Sequence, residues 1–171
     1  VSENDTHVEV VAGPNPTGDA REGEIVITSN VGTVAISSSN FSYQVSGNIS
    51  EVEPHQGQIG TLVAINGTNL RSAGDNITRV ALAGVDAAIV SETDEYVTVK
   101  AGQGPAKKKT VGDVILFSNT GSYVTRTDNW TYLVPGKIAA VSPAKGQGGA
   151  EVAVSGSLLC GAGGNGSVVT V

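Results

Sequence analysis

The sequence predicts an all-β chain of tandem β-sandwiches with a period of 89 residues. Three observations carry that expectation. The chain resembles itself at a fixed offset: comparing residues 8–70 with 97–159, 23 of 63 positions are identical, without a gap. A long fixed period means stacked or strung copies of one unit. The apolar residues are mostly Val, Ile and Ala, there are 23 glycines and no methionine, and this is a strand- and turn-rich composition. No stretch keeps the period of an amphipathic helix.

The offset sets the domain organisation. Val8-Glu9-Val10-Val11-Ala12-Gly13 lies beside Val97-Thr98-Val99-Lys100-Ala101-Gly102, and Asn40-Phe41-Ser42-Tyr43 beside Asn129-Trp130-Thr131-Tyr132. Residues 47–135 form one complete unit, large enough to bury a modest core. Residues 1–46 match its second half from Val90 onward, and residues 136–171 match its first half. Only about 83–89 lack a second copy. A half sandwich leaves an apolar face exposed and a sheet edge unpaired. Two explanations stay open. The chain is a window on a longer array, or the C-terminal half of one molecule completes the N-terminal half of the next. Either predicts a head-to-tail object, since a heterologous contact that does not close gives a filament.

Within the complete unit, alternation and turn residues place strands in order. Residues 49–52 alternate and stop at Pro54, and 61–66 follow the Gly57-Gln58-Ile59-Gly60 turn. Residues 77–82 alternate and stop at Gly84, and 87–91, 96–100, 113–118 and 122–132 complete the set. Seven short antiparallel strands fit a two-sheet sandwich of the immunoglobulin type. The single cysteine, Cys160, rules out the disulfide of antibody domains and any intrachain disulfide framework. It is expected to be a buried or loop thiol, or a link to another chain.

The pattern Val52, Pro54, Gly57, Gly60-Thr61, Val63, Ile65, Gly67-Thr68-Asn69-Leu70 resembles the opening of an IPT/TIG domain. It continues through Val80-Ala81-Leu82-Ala83-Gly84-Val85 and closes on Gly121 and Asn129-Trp130-Thr131-Tyr132. Ile138, Val141-Ser142-Pro143, Gly146-Gln147-Gly148-Gly149 and Val152-Ala153-Val154-Ser155-Gly156 repeat the opening. The resemblance implies an immunoglobulin-like fold shared by plexins, transcription factors and many extracellular proteins. It brings no catalytic motif.

Seven Asn-X-Ser/Thr triplets begin at Asn4, Asn40, Asn48, Asn66, Asn76, Asn129 and Asn165, out of eleven asparagines. That excess points to N-linked glycosylation, and so to a eukaryotic secretory product at the cell surface or outside it. Asn40/Asn129 and Asn76/Asn165 recur at the repeat offset. If Trp130 and Tyr132 face the core, alternation turns Asn129 and Thr131 toward solvent. Glycans on several faces would cover sheet edges, aid solubility and block proteases.

No chemistry-bearing constellation emerges. His7 and His55 have Tyr96 and Ala144 one period away, and neither has sequence partners for a triad or a zinc site. Glu92-Thr93-Asp94-Glu95 is an acidic turn without the spacing of a calcium loop. The Gly161–Gly166 run lacks the Gly-Lys-Ser/Thr ending of a phosphate loop. No catalytic, metal or cofactor-binding residue is expected. Net charge is −6, and Lys107-Lys108-Lys109 is the only basic cluster, which argues against nucleic acid as a partner. No apolar run is long enough for a membrane helix.

The expected function is a non-enzymatic extracellular structural protein, a glycosylated array forming a head-to-tail fibre or surface filament whose partner is itself. Short joints such as Val134-Pro135-Gly136 and Val45-Ser46-Gly47 would keep it stiff. The alternative is a stalk or ligand-binding ectodomain segment of a receptor or adhesin, with its site on loops or a bare sheet face. A linker module of a polysaccharide-active enzyme is a third reading.

Overall fold

The computed structural model describes residues 2–15 and 17–160. All regular structure in them is β-strand. The chain divides into two compact units, Val1–Gly47 and Asn48–Val171.

The first unit holds two antiparallel hairpins. β1 (Ser2–Asn4) pairs with β2 (His7–Glu9), and β3 (Arg21–Thr28) pairs with β4 (Val34–Tyr43). The β3–β4 ladder runs from Arg21↔Tyr43 to Thr28↔Val34, with a bulge between Glu24 and Val26. None of its large apolar side chains is buried: Ile25, Val26, Ile27, Val34, Ile36 and Phe41 are all exposed.

The second unit contains the complete sandwich, built of β5 (Asn48–Glu53), β6 (Gln56–Gly57), β7 (Leu62–Thr68), β8 (Ile77–Leu82), β9 (Val85–Glu92), β10 (Tyr96–Lys100), β11 (Thr110–Ser118) and β12 (Tyr123–Tyr132). The strands form one continuous ladder, β5-β7-β10-β9-β8-β11-β12-β6, rather than two separate sheets. β9 makes the connection. Its first residues, Val85 to Ala87, pair with β8, and Ala88 to Glu92 pair with β10. The ladder folds over there, and β5 comes back against β12, where Arg126 Nη1 donates to the Ile49 carbonyl at 3.4 Å. A strand that changes sheets turns a corner of a sandwich. The β8–β9 turn is Ala83-Gly84, both at positive φ (45° and 78°), as a two-residue hairpin of the favoured twist requires.

Alternation fills the space between the layers. Val63 and Ile65 on β7, Val97 and Val99 on β10, Val114 and Leu116 on β11, and Trp130 and Tyr132 on β12 are all buried. Leu70, Val80 and Leu82 join them in one cluster. The edge rings of Trp130 and Tyr132 meet in a T, with centroids 5.5 Å apart.

Beyond the sandwich, β13 (Lys137–Ser142) and β14 (Ala153–Ser157) form an antiparallel hairpin. Its pairs run Lys137↔Ser157, Ile138↔Gly156, then Ala140↔Ser155 to Ser142↔Ala153. β5 and β7 pair as Asn48↔Thr68, Ile49↔Gly67, then Glu51↔Asn66 to Glu53↔Ala64. Every pair in the first ladder has a counterpart 89 residues earlier in the second, bulge included. β3–β4 repeats six of the seven pairs of β11–β12, which begins Thr110↔Tyr132 and ends Phe117↔Tyr123; the two differ at the irregularity, where Val114 pairs with Arg126 but Glu24 pairs with Asn40.

Candidate functional site

The acceptor asparagines lie in unequal surroundings. Asn4 is exposed in the β1–β2 turn, and its Oδ1 accepts bonds from Thr6 N (2.9 Å), Thr6 Oγ1 (3.0 Å) and His7 N (2.8 Å). All three fall on the carbonyl oxygen and none on Nδ2, the atom that takes a sugar. The hydroxyl of the triplet is thereby docked on the amide it would assist. Asn40 is exposed on β4 opposite Glu24, and Asn48 is exposed at the first position of β5. Asn76 is exposed just before β8, where its carbonyl accepts from Asn119 N at 3.1 Å.

Two acceptors are less open. Asn66 is half-buried, and its Nδ2 donates to the Glu51 carboxylate at 3.1 Å. Asn129 is half-buried on β12. Trp130 and Tyr132 do face the core, but Asp128 beside Asn129 has φ 48° and the ladder slips between Gly112 and Val114. Thr131, on the same side of the strand, is half-buried as well. Asn165 lies outside the described residues, as does the Gly161–Gly166 run.

The acidic turn is a clamp. Arg71 Nε donates to Glu92 at 2.9 Å and its Nη2 reaches the other carboxylate oxygen at 3.1 Å, a two-pronged ion pair. Arg71 N donates to Asp94 Oδ1 at 2.9 Å, and Leu70 N to the Asp94 carbonyl. The hydrogen bond that Arg71 donates to Glu92 raises the Arg71 pKa further. The carboxylates are thus spent on tying β7 to the β9–β10 turn. His7 and His55 are exposed, and the His55 carbonyl accepts from Thr131 N at 3.0 Å. Lys107 to Lys109 and the Cys160 thiol are exposed. No group of His, Cys, Asp and Glu able to hold a metal occurs among the described residues.

A shallow notch of about 20 Å³ is lined by Gln58, Gln103, Gly104, Tyr132 and Pro135, far smaller than the roughly 300–1,000 Å³ of small-molecule sites. Trp130 Nε1 and Tyr132 Oη are buried with no hydrogen-bond partner among the described residues. Burial pushes the Tyr132 phenol above its ordinary value, and the nearby Gly102 backbone pulls weakly the other way. A phenol raised on folding stabilises the fold below its ordinary pKa, and that contribution is lost as pH rises through the folded value. Tyr132→Phe should therefore be neutral or stabilise by about 1 kcal/mol near neutral pH, since an unpaired buried hydroxyl is costly. It should also flatten the alkaline loss of stability. Denaturant unfolding of both forms at neutral and strongly alkaline pH checks this. A variant much less stable at neutral pH would show that the hydroxyl is partnered.

Residues 48–132 match the family described as IPT/TIG domain. No curated protein matches the sequence. Among solved structures, the full extracellular region of plexin A4 is similar at 20% identity and TM-score 0.47, over 81% of this chain and 12% of that one. A putative phosphatase from Bacteroides thetaiotaomicron is similar at 22% identity and TM-score 0.39, over 53% of this chain and 18% of that one. SGBP-B, from a complex xyloglucan utilization locus in Bacteroides uniformis, is similar at 16% identity and TM-score 0.37, over 75% of this chain and 38% of that one. The chain thus spans well under half the length of each.

Proposed function

We propose that this chain, whose residues 48–132 are an IPT/TIG domain, serves as an extracellular, N-glycosylated structural protein in which such units follow one another head to tail. The reading is carried by the ladder registers. β3–β4 repeats six of the seven pairs of β11–β12, and β13–β14 repeats every pair of β5–β7, each at 89 residues. Matching registers in both flanking hairpins, exact in one and off by a bulge in the other, are what a repeated unit produces. Stability in such an array is local to each unit plus its neighbour contacts.

The acceptor sites support the setting. Asn4, Asn40, Asn48 and Asn76 are exposed, and glycans there would sheathe strands and turns that otherwise invite pairing with other chains. The ion pair of Arg71 and Glu92 ties the end of β7 to the β9–β10 turn, and no catalytic role is assigned to this chain. Among the described residues no helix is long and apolar enough to cross a membrane.

Glycopeptide mapping of natively sourced protein tests the setting. Glycans are expected at Asn40 and Asn76, with lower occupancy at the half-buried Asn66 and Asn129. If every acceptor is bare, the secretory reading fails, and a bacterial surface or linker module takes its place.

A further inference from the structure

One acceptor asparagine and one tyrosine face each other across a ladder. Asn66 on β7 lies directly opposite Tyr96 on β10, and opposite Glu51 on β5. Residues directly opposite in an antiparallel pair share a face, with Cβ atoms about 4.5–5.5 Å apart. Ile65 and Val97, their neighbours in the chain, are fully buried, so Asn66 and Tyr96 turn outward. Tyr96 is 43% exposed. Every other aromatic ring among the described residues packs against a second ring, and Tyr96 does not. The next pair along the same face is Ala64 and Thr98, two small side chains, so the floor beside the tyrosine ring is low.

Asn66 begins the triplet Asn66-Gly67-Thr68, and its Nδ2 donates to Glu51 Oε2 at 3.1 Å. That bond uses one of the two amide protons. The bonds of an amide nitrogen spread in one plane. A substituent on the remaining position therefore points away from Glu51. The strands lie in the order β5-β7-β10, so away from β5 is toward β10 and Tyr96. The fold itself does not require this pair. One period away, Ser155 stands in the place of Asn66 and His7 in the place of Tyr96.

We infer that Tyr96 seats a glycan carried by Asn66: the first sugar lays its C–H face on the tyrosine ring, and the rest of the oligosaccharide runs out over the β7–β10 face. The inference rests on the glycoprotein reading and gives one glycan a fixed place in the fold. The face of an aromatic ring is electron-rich, and the polarised C–H groups of a sugar pack on it. Attachment is a group transfer. Nδ2 bonds to C1 of a sugar carried on a lipid pyrophosphate, the C1–O bond breaks with its electron pair left on the pyrophosphate, and one Nδ2 proton passes to a base of the transferase. The other proton stays on Nδ2 and keeps its bond to Glu51, which holds the new C1 bond on the Tyr96 side. Seating follows transfer and leaves the lower occupancy expected at Asn66 unchanged.

Nuclear magnetic resonance of the chain made in glycosylating eukaryotic cells tests this, with its glycans trimmed to the first sugar by an endoglycosidase. One set of sugar protons should be shifted upfield by the ring current of the tyrosine. Thr68→Ala, which removes only the Asn66 acceptor triplet, should abolish that set. Tyr96→Thr, which keeps a strand-forming residue but removes the ring, should return it to ordinary positions. Tyr96→Phe should retain it. Melting gives a second reading. Tyr96→Thr should lower the melting temperature by about 4 °C more in the glycosylated chain than in the bare chain made in bacteria. An Asn66 glycan with no upfield set, a set that survives Tyr96→Thr, or equal melting losses in the two forms overturns the inference. So does an Asn66 that takes no glycan. If the other acceptors are then occupied, the glycoprotein reading stands, and if all are bare, it falls as well.

Discussion

Trp130→Ala is expected to unfold the 48–132 sandwich or leave it barely folded. Trp130 is fully buried at the end of β12 and packs edge-on against Tyr132. Truncating a buried Trp costs about 3–5 kcal/mol. A domain of this size holds only about 4–13 kcal/mol in total, at 0.05–0.15 kcal/mol per residue. The loss is thus comparable with the whole margin. Trp130→Phe should cost much less, because a ring remains to fill the site and the indole Nε1, which has no partner, is removed. Urea unfolding followed by far-ultraviolet circular dichroism reads both. An alanine variant with the wild-type midpoint would show that Trp130 is not the keystone of this core.

Gly67→Ala should damage the sandwich by a different route. A Cβ at Gly67 would run into the Asn48 carbonyl oxygen, and into Leu70 Cδ2 at 2.5 Å. The carbonyl is backbone within the β5–β7 ladder and cannot rotate away. Overpacking of this kind costs about 1–3 kcal/mol. Relief would come from opening the Asn48↔Thr68 end of the ladder. Gly84→Ala provides the contrast. Gly84 has open space around it but φ 78°, so its cost is backbone strain alone, about 1–2 kcal/mol. Thermal melts of the pair should place Gly67→Ala lower, and the reverse order would mean that the β5–β7 edge is soft enough to give.

The local pattern of the sandwich could be read directly from the residues. Strands expected at 77–82 and 96–100 are observed as Ile77–Leu82 and Tyr96–Lys100. Both are short alternating runs between clear turn signals, so the sequence marks their ends. β11 starts three residues earlier than expected, at Thr110. Its first residues pair with Trp130 to Tyr132, a partner distant in sequence. β6 was not legible at all, because two residues carry no periodicity and the strand exists only through β12. Nor was the sheet change within β9, which depends on which neighbour each half meets rather than on its own alternating pattern.

The candidate sites divide the same way. The triplets mark the candidate acceptors, and Trp130 and Tyr132 face the core together, as alternation requires of residues two apart. Alternation gives the side of the strand on which Asn129 lies but not its half-burial, which Thr131 on the same side shares. Asp is one of the few residues that tolerates a left-handed backbone, so Asp128 held a weak signal of the irregularity there. The role of the acidic turn was not legible either. Glu92 and Asp94 meet Arg71 across more than twenty residues of sequence, and no spacing rule links them.

The most direct test of the central claim is electron microscopy of natively sourced material, with the axial spacing measured along any thread. The account predicts unbranched threads with one constant axial spacing, the length of a single sandwich. Isolated compact particles at every concentration, or threads with no regular spacing, would contradict it.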